Sequence, residues 1–140
     1  MTIDGYKVIK PKAAWDMLTN NPSAVLIDVR SDMEYLMVGH PKGAFQVSWI
    51  DEPDWEVNPH FAAEVRKVML GRTANHEHHA PVLLICRSEN RSSDAAELLV
   101  KDGFKDIYVV EGGFEGPLDE EHHRSTLAGW RHDNLPWEQS

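Results

Sequence analysis

The chain has one cysteine, Cys86, and it stands where the apolar run Val82-Leu83-Leu84-Ile85 gives way to Arg87-Ser88-Glu89-Asn90-Arg91-Ser92. Pro81 bounds the run on one side, its length suits a strand buried on both faces, and residues 92–101 read as a helix. Cys86 is thus expected at the carboxyl end of a strand, in a tight loop that feeds a helix amino terminus. In such a loop successive N–H groups curl around one point, the first helical turn leaves its own N–H groups unpaired, and the macrodipole adds partial positive charge. A sulfur facing that point has its thiolate favoured, and Arg87 and Arg91 add two full positive charges. The chemistry implied is nucleophilic attack by sulfur within a cradle suited to anions. It requires that the Cys86 side chain face solvent and that the loop amides converge on it.

The elements around this loop alternate. Tyr6–Ile9 reads as a short edge strand, and residues 11–18 as a helix with Pro11 near its first position, stopped by Asn20-Asn21-Pro22. Residues 24–29 form a second buried strand. Ser31 with Glu34 three positions later fits a capping box, so a short helix is expected from Asp32 to near Gly39. Residues 45–50 suggest a third strand, and 51–56 an acidic surface loop. Asn58-Pro59 offers a cap and first position for a helix with Phe61, Val65, Val68 and Met69 on one face and Gly71 as its stop. Residues 72–79 read as loop. After the central strand, Ala95, Leu98 and Leu99 line one helix face, Gly103 supplies a left-handed terminator, and residues 107–110 give a further strand. Short apolar strands separated by helical patterns imply an α/β fold, a parallel sheet covered on both faces.

The loop Cys86-Arg87-Ser88-Glu89-Asn90-Arg91-Ser92 resembles the active-site loop of single-domain rhodaneses, the sulfurtransferases. Asp28-Val29-Arg30, Ser31-Asp32-Met33-Glu34-Tyr35 and Gly39-His40-Pro41-Lys42-Gly43-Ala44 resemble the family's amino-terminal signature. Val109-Val110-Glu111-Gly112-Gly113-Phe114 resembles its carboxyl-terminal one. The resemblance spans residues 8–113. It implies a rhodanese-like three-layer sandwich, with a mostly parallel sheet of about five strands and helices on both faces. It also implies transfer of a sulfane sulfur through a persulfide on Cys86, from thiosulfate or a persulfide to a thiol or other nucleophilic acceptor.

Cys86 and Arg91 are spaced C-x4-R, whereas cysteine-dependent phosphatases of the protein-tyrosine type use C-x5-R; here Ser92 occupies that later position. The shorter loop suits a single sulfur better than a phosphate ester. Under this reading Arg87 orients an anionic donor or is a solvated arginine, and Arg91 closes the loop by pairing with backbone carbonyls or the leaving group. Ser88 and Ser92 donate to the persulfide or cap the helix, capping being favoured for Ser92. Asn90 completes the loop. Glu89 stands where the family usually has glycine, so either its carboxylate opposes thiolate and anionic donor or it points into solvent. Asp28 and Arg30 enter the site from the neighbouring strand end or, the favoured reading, form a structural ion pair. His40 is expected to hydrogen-bond locally at the end of the short helix.

With 140 residues the chain suits one domain, a core over residues 6–113 and an extension over 114–140. The tail, with Trp130 and Trp137, is too apolar to hang free; it packs back on the sheet or makes a subunit contact such as a homodimer. A net charge of −9 argues against a general nucleic-acid partner. No run reaches membrane-spanning length and the first residues lack a signal-peptide core, so cytoplasmic placement without a membrane partner is expected. His76-Glu77-His78-His79 and Glu120-Glu121-His122-His123 lack the spacing of a closed metal site, so neither metal nor cofactor is expected. A lone cysteine cannot resolve its own persulfide, which makes the sulfur acceptor an external thiol or protein. The competing reading is a non-enzymatic sulfur carrier or regulatory binding module.

Overall fold

The computed structural model describes residues 2–3, 5–31, 33–51, 56–72, 80–87 and 90–139, with 2–3, 51, 71–72 and 90 described by backbone only. Among the described residues ten strands, β1 (Thr2–Ile3), β2 (Tyr6–Ile9), β3 (Val25–Asp28), β4 (His40–Pro41), β5 (Phe45–Gln46), β6 (Ile50–Asp51), β7 (Glu56–Val57), β8 (Val82–Ile85), β9 (Ile107–Val110) and β10 (Trp137–Glu138), interleave with helices α1 (Pro11–Asn20), α2 (Phe61–Arg72) and α3 (Asn90–Lys101). The main sheet runs β1-β2-β9-β8-β3-β5; five of its strands are parallel, and β1 folds back antiparallel on β2. This is the α/β architecture expected from the alternation.

Because side chains alternate along a strand, the parallel strands feed two cores at once. Val25, Ile27, Val82, Leu84 and Val109 face one side, where Phe61, Val65 and Met69 of α2 and Ala95, Ala96 and Leu99 of α3 cover them. Leu26, Leu83, Ile85 and Val110 face the other, covered by Ala14 of α1 together with Phe114 and Trp130. The three layers follow directly. Asp28 pairs in register with Ile85, so β3 and β8 end side by side and the residues after them, Val29-Arg30 and Cys86-Arg87, share one edge.

Several local expectations are corrected. Residues 45–50 are two short strands rather than one, because the chain bends after Gln46. There Gln46 Nε2 and Ser48 Oγ both donate to the Arg30 carbonyl, at 3.1 and 3.2 Å. Residues 51–56 are not wholly loop, since β6 and β7 pair Ile50 with Val57 and Asp51 with Glu56. Asn58 starts a turn ahead of α2, accepting the His60 N–H at 2.9 Å on Oδ1. Gly71 does not stop α2, which continues to Arg72; a helix tolerates glycine at a cost of about 1 kcal/mol relative to alanine. Asp32, the expected first residue of the short helix, lies outside the described residues; Glu34–Val38 is a single π-type turn, and the expected capping box is present, with Ser31 N–H and O–H donating to Glu34 Oε1 at 3.3 and 3.1 Å. Gly39, at φ 110°, ends it, and a Cβ there would lie 2.8 Å from the Trp137 ring.

The tail is part of the same body. Trp130 is fully buried, meets Trp15 edge-on with ring centroids 5.9 Å apart, and donates from Nε1 to the Pro136 carbonyl at 2.8 Å. The chain then returns to pair β10 with β4, Trp137 opposite Pro41. Trp130→Ala should therefore lower stability by about 3–5 kcal/mol, as for a large core aromatic. Urea denaturation followed by fluorescence checks this, and a loss below about 1 kcal/mol would show a peripheral tail.

Candidate active site

Cys86 follows β8 directly, and two sets of backbone groups fix it. Its carbonyl accepts the Phe114 N–H at 2.7 Å, and the Arg87 carbonyl accepts the Glu115 and Gly116 N–H groups at 2.9 and 3.1 Å. Both carbonyls are thus turned toward the tail. On the other side the Ser92 N–H, in the first turn of α3, donates to Cys86 Sγ at 3.4 Å. A first-turn amide that would otherwise lack a partner thus points at the sulfur. Gly113, at φ 63°, makes the close approach possible: a Cβ there would lie 2.5 Å from the Cys86 carbonyl oxygen.

The expectation that Cys86 faces solvent is corrected. The residue is 1% exposed and belongs to the core layer under α3, because it continues the inward alternation of Val82 and Leu84 on β8. Arg87 is exposed. Ser88 and Glu89, and with them the question of where the Glu89 carboxylate points, lie outside the described residues, as does the Asn90 side chain. Ser92 does not cap α3: the helix starts at Asn90, and the Ser92 hydroxyl, fully buried, has no hydrogen-bond partner among the described residues.

Arg91 has a partner that sequence reasoning missed. Its Nη1 and Nη2 donate to Glu34 Oε1 and Oε2 at 2.6 and 2.9 Å, a two-point pair joining α3 to the π-type turn. Neither a backbone carbonyl nor a free anion is needed to satisfy it. The two are 57 positions apart in sequence, so no local pattern marks the pair, although Glu34 is visible as the capping-box acid. Burial works to raise the Glu34 pKa, but the Arg91 guanidinium and the Ser31 donors outweigh it and bring the carboxyl to about 2, from 4.5. The hydrogen bonds that Arg91 donates to Glu34 in turn raise the Arg91 pKa.

Asp28 and Arg30 adopt the favoured structural arrangement. Arg30 Nη2 and Nε donate to Asp28 Oδ2 and Oδ1 at 2.6 and 2.9 Å with both side chains fully buried, and Nη2 also donates to the Gly39 carbonyl. The guanidinium lies 4.6 Å from the Phe114 ring centroid. The pair therefore braces the β3 end, the Gly39 turn and the tail residue that holds Cys86, while Arg30 Nη1 is buried with no hydrogen-bond partner among the described residues. His40 bonds locally, its Nδ1 3.0 Å from the Tyr35 carbonyl, with its ring stacked on Tyr35.

His122 and His123 are exposed, and residues 76–79 lie outside the described residues. Among the described residues no cluster of His, Cys, Asp and Glu could hold a metal ion, and no helix is long and apolar enough to cross a membrane.

Residues 10–119 match the rhodanese-like domain family. Over 117 residues the chain is 32% identical to the thiosulfate sulfurtransferase GlpE of Glaesserella parasuis, covering 79% of this chain and 85% of that one. It is 32% identical over 127 residues to an uncharacterised protein of Rickettsia conorii, covering 89% and 91%. Among solved structures, the crystal structure of Rv0390 from M. tuberculosis is similar with a TM-score of 0.81 and 41% identity, covering 96% of this chain and 98% of that one.

The Glu34 carboxyl sets a pH dependence. Its native pKa of about 2 lies below the unfolded value of 4.5, so the stabilisation is fully present above pH 4.5 and is lost as pH falls toward 2. It is on the order of 2–3 kcal/mol. Urea titrations should find Glu34→Gln less stable than wild type at pH 7, with the gap closing between pH 4.5 and 2. A gap that stays constant with pH would mean the lost stability comes from packing alone.

Proposed function

The chain belongs to the rhodanese-like domain family, and from that premise we propose that it is a sulfurtransferase whose Cys86 carries the transferred sulfur as a persulfide. The observation that carries this reading is the Ser92 N–H aimed at Cys86 Sγ from the first turn of α3, 3.4 Å away. A donor fixed by a helix before reaction stabilises developing negative charge without reorganising, the arrangement that gives an oxyanion hole its effect.

The Cys86 thiolate attacks the outer sulfur of thiosulfate. A new S–S bond forms, the old one breaks, and its electron pair departs with sulfite. With a persulfide R–S–SH the same attack releases R–S⁻ and leaves the outer sulfur on Cys86. An external thiolate then attacks that outer sulfur, forming its own persulfide and regenerating the Cys86 thiolate. The acceptor has to be external because the chain has one cysteine. The amides of the loop from Arg87 to Ser92 hold the charge of the terminal sulfur, and exposed Arg87 meets the incoming anion. The requirement that Cys86 face solvent is not met in this conformation, where it is 1% exposed, so the proposed transfer depends on movement of the groups that cover it.

A second reading, a rhodanese-like carrier or regulatory binding module without turnover, is favoured by that same burial of Cys86. The phosphatase reading is disfavoured by the C-x4-R spacing and by Arg91 being engaged with Glu34. Intact-mass spectrometry after incubation with thiosulfate, and separately with glutathione persulfide, distinguishes them. The expected result is a gain of one sulfur atom on wild type, none on Cys86→Ala, and its loss on adding a thiol. Wild type that gains nothing from either donor contradicts the enzyme reading and leaves the binding module.

A further inference from the structure

Arg91 is the guanidinium next in sequence to Ser92, whose N–H reaches the sulfur. It is not free to serve an anion. Both terminal nitrogens are engaged by the two oxygens of Glu34, and the side chains are 22% and 20% exposed. Glu34 is itself fixed, because the Ser31 N–H and O–H both donate to its Oε1. The result is an electrically neutral pair whose guanidinium is near enough to Cys86 for the two groups to interact electrostatically. The field of such a pair falls off faster than that of a lone guanidinium, so an approaching dianion gains little from it. That leaves exposed Arg87 as the other cation in the described part of the loop.

We propose that Glu34 is a specificity-determining positioning residue: by pairing with Arg91 at two points it removes a positive charge from beside Cys86 and selects sulfur donors of low negative charge over the dianion thiosulfate. The inference rests on the sulfurtransferase reading above and names its substrate class, a persulfide or other donor with at most one charge at the reacting end. Chemistry is the same for either donor. Thiosulfate gives sulfite and the Cys86 persulfide, and a thiosulfonate anion R–SO2–S⁻ gives the sulfinate R–SO2⁻ and the same persulfide, so the two differ by one charge on the donor and on its leaving group.

Glu34→Gln tests this with little change in shape. Glutamine keeps an oxygen for the Ser31 donors and one bond to Arg91, while leaving the guanidinium charge uncompensated. The measurement is kcat/KM for thiosulfate divided by that for benzenethiosulfonate, in wild type, Glu34→Gln and the double variant Glu34→Gln/Arg91→Gln. The ratio is expected to rise about tenfold in Glu34→Gln, to shrink with added salt, and to return to the wild-type value in the double variant. A purely structural role would lower both donors together and leave the ratio unchanged, which overturns the inference while the sulfurtransferase reading stands. A ratio still raised in the double variant also overturns it, because the effect would not act through Arg91. Wild type that accepts sulfur from neither donor overturns both.

Discussion

Two carbonyls at the end of the central strand must be satisfied, and where they are satisfied decides the orientation of everything after them. Past Ile85 the sheet no longer supplies partners, and buried carbonyls left unpaired would cost about 1–3 kcal/mol each. The tail turn supplies them: Phe114, Glu115 and Gly116 donate to the oxygens of Cys86 and Arg87. Held there, the strand end is fixed from one side, while from the other the Ser92 N–H in the first turn of α3 meets Cys86 Sγ at 3.4 Å. Gly113 is the residue that lets the two backbones come this near. The tail residues are thus structural partners of the candidate site.

Two ion pairs brace this arrangement from different depths. Asp28–Arg30 is fully buried and has Gly39 and the Phe114 ring as further neighbours, so it links the end of β3 to the π-type turn and to the tail. Breaking one partner of such a pair leaves an uncompensated buried charge, typically a cost of about 3–5 kcal/mol. Glu34–Arg91 lies nearer the surface and links that same turn to the start of α3. The π-type turn is therefore held at both ends, by Gly39 to the core and by Glu34 to the loop. Single π-type turns are common at functional sites, and here the turn carries the acid that neutralises a loop cation.

Much of the fold was legible because it depends on local patterns. The apolar runs ending at Asp28, Cys86 and Val110 give three adjacent parallel strands, the Ser31/Glu34 capping box is present, and Gly103 ends α3 with φ 98°. What escaped depends on tertiary contact. No local rule shows that Glu34 would serve Ser31 and Arg91 at once, or that Gln46 and Ser48 would bend their strand toward the Arg30 carbonyl. The burial of Cys86 follows from the inward alternation of β8 continuing one residue past the strand, under the cover of α3. In the candidate site the place of Cys86 at the end of a strand and the Asp28–Arg30 pair were readable, whereas the Arg91 partner and the Ser92 hydroxyl, which has no hydrogen-bond partner among the described residues, were not.

Under the proposed function the Ser92 N–H, in the first turn of α3, holds the charge of a sulfur carried on Cys86. Backbone 15N–1H NMR of the protein before and after loading with one sulfur atom measures this directly. The Ser92 N–H should move downfield by more than any amide in β8 or α2, and return when a thiol removes the sulfur. An unchanged Ser92 resonance in a protein that has gained the sulfur on Cys86 would contradict the claim.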